Sequence, residues 1–103
     1  MENFIKPIIT DDVLEFIESL PIKDQDKILG SIGAFSKRQF DAVYVKQIFG
    51  EIKELRVRRY RLLFFVANDS VHFMRIFVKK TNKTPKREIE LAIKYFRSFK
   101  NLK

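Results

Sequence analysis

The chain has 103 residues, 46% of them hydrophobic with 11 Phe, and carries 21 Lys/Arg against 13 Asp/Glu for a net charge of +8. That length suits one domain, residues 1–103, with enough apolar content for a core, which excludes a disordered basic tail. Zero Cys and one His exclude a disulfide scaffold, a thiolate metal site and an ordinary zinc or iron centre, so no cofactor and no metal are expected.

The opening MENFIKPIITDDVLEF lacks the cationic start and long apolar stretch of a secretory signal. No later run approaches the roughly 18 apolar residues of a membrane span. A cytoplasmic protein with no membrane partner is expected. Residues 3–9, NFIKPII, suit a short edge strand, because Pro7 has no N–H for a central one. In TDDVLEFIESLP, Thr10 or Asp11 caps a helix, acids fill its first turn, and Val13, Phe16, Ile17 and Leu20 repeat at helical spacing. Pro21 ends that helix or opens the next. In PIKDQDKILGSIGAFSK, Ile28, Leu29, Ile32 and Phe35 form a second stripe, while Gly30 and Gly33 weaken the helix or permit close packing. The two segments together predict a helical hairpin.

Residues 36–50 give no clean period, although VYVKQIF is rich in strand-forming residues. From Glu51 the pattern changes. EIKELR alternates, a turn falls at 57–59, YRLLFFVA reads as a buried strand, Asn68 and Asp69 turn, and VHFMRIFV is a third strand. Thr84 caps a last helix with Pro85 at its first position, and Ile89, Ala92, Ile93, Phe96 and Phe99 face the sheet. The expected fold is α+β: an N-terminal helical hairpin, a three- to four-stranded antiparallel meander and a C-terminal helix.

Charge is distributed unevenly. Residues 1–49 have a net charge of −2 and residues 50–103 a net of +10. Such asymmetry points to an anion-facing surface. The meander says where it lies. Its turns bring Arg56, Arg61, Lys79 and Lys80 to one end of the sheet, followed by Lys83 and the amino end of the last helix, whose free N–H groups attract anions. Arg58 and Arg59 occupy the turn at that end, and Lys86 and Arg87 open the helix. Arg75 shares the side of Phe77 and Lys79, so it lines this surface or pairs with an acid. His72 lies at the other end of its strand, about 23 Å from Lys79, and is not a partner of the cluster. Asp11 and Asp12 mark a helix start, Glu88 and Glu90 suit local ion pairs, and Tyr60, Phe64 and Phe65 belong to the core. No Gly-rich phosphate loop, Gly-x-Ser-x-Gly or close carboxylate pair is present.

The segment GEIKELRVRRYRLLFFVANDSVHFMRIFVKKTNKTPKREIELA resembles the RelE/ParE toxin superfamily, and within it the HigB-like branch of phage-type toxins. The matching pieces are the Gly before an ELR strand, the YRLLFF strand, the Phe-x-Lys-Lys-Thr strand end and the Thr-Pro-x-x-Glu-Ile helix start. The resemblance implies a RelE-like fold and the toxin of a type II toxin–antitoxin system. It also implies an endoribonuclease that cuts mRNA in the ribosome, with the ribose 2′-hydroxyl as nucleophile. Carried over by position, Arg61 matches the phosphate-binding arginine, Lys79 and Lys80 join it as catalytic cations, and Lys83 falls beside them. Arg56, Arg58, Arg59, Arg75, Lys83, Lys86 and Arg87 are expected to bind RNA. RelE carries lysines where this chain has Ile52 and Glu54, and a tyrosine in its last helix near the site, with no clear counterpart here. The general base is therefore open between a lysine crowded by cations and Glu54, which in this motif better suits pairing with an arginine, and the cations alone can stabilise the pentavalent phosphate without proton transfer. Expected partners are a cognate antitoxin of helix-turn-helix, HigA-like type, the ribosome and mRNA. The alternatives are a ParE-like toxin that binds DNA gyrase without catalysis, and a remodelled relative that only binds RNA or a partner.

Overall fold

The computed structural model describes residues 4–101. The elements are β1 (Lys6–Ile9), α1 (Asp11–Glu18), α2 (Ile22–Ser36), a 3-10 turn (Phe40–Ala42), β2 (Tyr44–Phe49), β3 (Ile52–Val57), β4 (Tyr60–Ala67), β5 (Ser70–Val78) and α3 (Lys86–Asn101). The strands form one five-stranded sheet in the order β1-β5-β4-β3-β2. The expected three- to four-stranded antiparallel sheet is thus corrected to a mixed one. Strands β2 to β5 are the antiparallel part, and β1 adds a parallel strand, with Lys6 opposite Ser70 and Ile9 opposite Phe73.

β1 is the short edge strand expected at residues 3–9; Asn3 lies outside the described residues, as do both ends of the expected 1–103 domain. Lys6 donates its N–H to the Asp69 carbonyl at 2.6 Å and Thr10 to that of Phe73 at 3.3 Å. Inward donors therefore fall on even positions, and Pro7 sits where an N–H would face outward. β2 is the undecided VYVKQIF stretch. It is an edge strand with a register shift between Gln47 and Phe49, and an irregularity of that kind breaks the two-residue period by which strands are recognised.

Both faces of the sheet are covered. Leu55, Tyr60, Leu62, Phe64 and Phe73 pack with Val13 and Ile17 of α1 and Ile28, Ile32 and Phe35 of α2. On the opposite face Ile52, Leu63, Phe65 and Met74 meet Ala92, Ile93, Phe96 and Phe99 of α3. Burial on both sides explains why β4 reads as an unbroken apolar run rather than an alternating one. Tyr60, Phe64 and Phe65 are core, as expected, and are at most 1% exposed. Truncating either phenylalanine to Ala would cost about 3–5 kcal/mol.

Three local expectations change. Leu29 of the α2 stripe is 44% exposed, and Gly30 and Gly33 have open space where a Cβ would lie rather than a tightly packed neighbour. Thr10 caps α1 by accepting from the Val13 N–H at 3.3 Å, whereas the Thr84 hydroxyl is not spent on a cap but donates to Glu54. The Pro85 carbonyl accepts from Glu88 and Ile89 N–H groups at 3.0 and 3.2 Å, so Pro85 stands at the cap position of the last helix, which begins at Lys86. No helix among the described residues is long and apolar enough to cross a membrane.

Candidate functional site

The basic end of the sheet is built by strand register. Tyr44 of β2 lies opposite Arg56 of β3, Arg56 opposite Arg61 of β4, and Arg61 opposite Phe77 of β5. These four residues form one transverse row on the face that α3 covers farther along. Two arginines directly opposite one another repel. The carboxylate of Glu54, two residues before Arg56 and on the same face, answers that repulsion. Its Oε1 lies 3.1 Å from Arg56 Nε and 3.9 Å from Arg61 Nε. Its Oε2 accepts from Thr84 Oγ1 at 2.8 Å. Glu54 is only 2% exposed, and a carboxylate so buried persists because it is paired on both oxygens.

Arg61 is held equally firmly. Its Nη1 donates to the carbonyls of Arg58 at 2.7 Å and Tyr60 at 2.9 Å. Arg58 adopts a left-handed φ of 56°, and that turn conformation aims its carbonyl at the Arg61 side chain. Lys79 donates its N–H to Arg59 O at 2.6 Å, which carries the β4–β5 pairing past the strand end and anchors the following loop. That loop, residues 79–85, closes a cleft over the row. Glu54, Arg56, Arg61, Phe77, Lys79, Lys80, Lys83 and Thr84 line it.

The structure therefore brings together Arg56, Arg61, Lys79, Lys80 and Lys83. The other expected RNA contacts lie elsewhere. Arg59 turns toward α2, with Nη2 3.3 Å from the Tyr60 hydroxyl and 3.7 Å from Asp24. The hydrogen bond to Tyr60 and then the electrostatic effect of that side chain hold this guanidinium above its ordinary pKa, desolvation opposes them, and Asp24 adds the smallest contribution. Arg58 is exposed in the same turn. Arg75 is engaged by acids: Nε lies 2.6 Å from Glu88 and Nη1 3.6 Å from Asp12. Glu88 thus joins α3 to β5 instead of making a local helix pair. A register shift between Leu63 and Phe64 of β4 produces this placement, because it leaves Met74 as an extra residue and turns Arg75 toward α3. Lys86 lines a neighbouring groove with Lys80 and Lys83, and Arg87 is exposed at the start of α3. His72 lies away from the cleft, stacked on Phe65 at 4.6 Å.

Sequence reasoning missed Thr84 and Phe77 as cleft residues, whereas the pairing of Glu54 with an arginine is as expected, and the carboxylate faces two of them. The parity of Glu54 with Arg56 was the available signal. Chemically, the cleft offers two arginines fixed by carbonyl and carboxylate partners and three exposed lysines around a small volume, with its carboxylate already occupied. Its cationic rim can attract a phosphate group.

Comparison with known proteins agrees with this architecture. A solved RelB–RelE antitoxin–toxin complex from Methanococcus jannaschii contains a chain similar in fold, with a TM-score of 0.56 and 15% identity over 69% of this chain and 88% of that one. No curated protein matches the sequence. The family model described as "Phage derived protein Gp49-like (DUF891)" matches residues 15–97. Because that match spans most of the sheet, both helical layers and the entire cleft, the chain belongs to the phage-derived Gp49-like family.

Proposed function

We propose that this chain is the toxin of a toxin–antitoxin pair and that it cuts mRNA in the ribosome as an endoribonuclease. The observation that carries this reading is the cleft in which Arg56, Arg61, Lys79, Lys80 and Lys83 converge around a buried, fully engaged Glu54. The RelE-like fold and the Gp49-like family support it.

In the proposed reaction the scissile phosphate occupies the cleft. The 2′-hydroxyl oxygen of the preceding ribose attacks phosphorus, and the P–O5′ bond breaks. The products are a 2′,3′-cyclic phosphate and a 5′-hydroxyl that takes up a proton. Negative charge builds on the non-bridging oxygens at the pentavalent stage, where Arg61 and Lys79 stabilise it. Arg61 is suited to this because its carbonyl and carboxylate partners fix its position before substrate arrives. Glu54 has both oxygens occupied, so its role is to position the arginines, and the proton from the 2′-hydroxyl passes either to a lysine of the cleft or to a group of the ribosome.

An antitoxin, expected to be of helix-turn-helix, HigA-like type, would silence the toxin by covering the basic end. The gyrase-binding alternative requires no such cleft. The test is replacement of Arg61 or Lys79 by Ala with folding checked by circular dichroism. Loss of growth arrest in both variants is expected; full toxicity in both would overturn the site.

A further inference from the structure

Tyr44 was absent from the sequence-derived site, and it does not line the cleft. Yet it ends the transverse row that the cleft is built on: Tyr44, Arg56, Arg61 and Phe77 follow one another across β2 to β5. Tyr44 is 64% exposed. The Arg56 guanidinium lies 5.2 Å from the ring centroid, which fixes the ring's inner side while leaving its remaining surface open. Adjacent strands are about 5 Å apart, so the ring sits one strand spacing from Arg56 and about 10 Å from Arg61.

We infer that Tyr44 is a stacking platform for a nucleobase flanking the phosphate held in the cleft. The inference rests on the RNA reading given above and adds to it a base contact at the β2 edge. An aromatic face next to fixed cations is the combination by which single-stranded nucleic acid is held, with the cations on the phosphates and the ring on a base. Stacking tolerates any base, so this contact adds affinity and fixes the direction in which the strand leaves the cleft without reading sequence. The contact uses the ring and not the hydroxyl. The Tyr44 hydroxyl makes no hydrogen bond among the described residues, so phenylalanine should serve as well.

The test compares two probes at low ionic strength: a short 2′-O-methyl oligoadenylate, which cannot be cut, and the same backbone without bases. Binding of each to the wild-type chain, Tyr44→Ala and Tyr44→Phe is measured by fluorescence anisotropy. The wild type and Tyr44→Phe should bind the oligoadenylate about tenfold more tightly than Tyr44→Ala does, the size of one lost base stack. All three should bind the base-free backbone equally. Equal binding of the oligoadenylate by Tyr44→Ala and wild type would overturn the inference while leaving the RNA reading intact. An equal loss on both probes would also overturn it, since Tyr44 would then act only through Arg56 and the phosphates. Absence of binding by the wild type would also overturn the inference, while the RNA reading is decided separately by mapping mRNA cleavage in cells.

Discussion

Thr84 Oγ1 donates to Glu54 Oε2 at 2.8 Å, joining the loop that precedes α3 to the middle of β3. The other oxygen of the same carboxylate faces Arg56 and Arg61. One buried residue thus sets the spacing of two like charges and the position of the loop carrying three lysines. Replacing Glu54 by Gln retains a hydrogen-bond acceptor but leaves the two guanidinium groups unneutralised. The variant should lose about 3 kcal/mol of stability, the usual cost of removing one partner of a buried pair. Added phosphate should restore more stability to Glu54→Gln than to the wild type, because the anion replaces the missing charge. Urea denaturation with and without phosphate measures both effects. Thr84→Val, which loses one hydrogen bond, should cost about 1 kcal/mol.

Lys79 and Arg61 separate function from stability. Lys79 is exposed, so Lys79→Ala should change stability by no more than about 0.5 kcal/mol. Its effect should appear in RNA cleavage, with a loss of about a hundredfold for a group that stabilises transition-state charge. It should also reduce the salt dependence of RNA binding by about 0.7 in the log–log slope, the increment of one phosphate contact on a single strand. Arg61 is buried and tied to two carbonyls. Arg61→Ala should therefore lose activity and also about 1–3 kcal/mol of stability.

Arg58 occupies a left-handed backbone position, φ 56°, without being Gly or Asn. That conformation costs a side-chain-bearing residue about 1–2 kcal/mol. Arg58→Gly should therefore raise stability by about 1 kcal/mol, read from the urea midpoint. A fall in stability would mean that the side chain contributes more than the strain it imposes.

Gly30 and Gly33 lie in α2 with nothing within 4 Å of the position a Cβ would take. Each change to Ala should raise stability by about 0.5–1 kcal/mol through helix propensity alone. For a domain of this size that corresponds to a few degrees in the thermal midpoint for each substitution. Overpacking, seen as a lower midpoint, would contradict the open space at these positions.

Much of this architecture was legible in the residues. Period-2 and continuous apolar runs located β3, β4 and β5, because those strands are covered by helices and their side chains are chosen for burial. The turns that align Arg56, Arg61 and Lys79 followed from that meander. β2 was not legible, since an edge strand with a register shift has no sustained alternation to display. The parallel pairing of β1 was hidden for a different reason: four residues of strand carry no signal about which distant edge they join. Of the two outcomes that the parity of Arg75 with Phe77 left open, pairing with an acid is the one found, with Glu88 and Asp12. The extra residue Met74 turns Arg75 toward those acids, and a bulge of this kind has no local sequence mark. Glu54 illustrates a further limit. Its parity with Arg56 was visible, but the reach of Thr84 across to it depends on how the loop folds back over the sheet.

The central proposal, cleavage of mRNA on the ribosome, is tested most directly by inducing this chain in a bacterium and mapping mRNA 5′ ends by primer extension. The mapping is run with and without an inhibitor that prevents ribosomes from loading. New ends at a regular position within codons, lost when translation is blocked and lost again in Lys79→Ala, are the expected result. Growth arrest with mRNA left intact would contradict cleavage and favour a toxin that acts by binding.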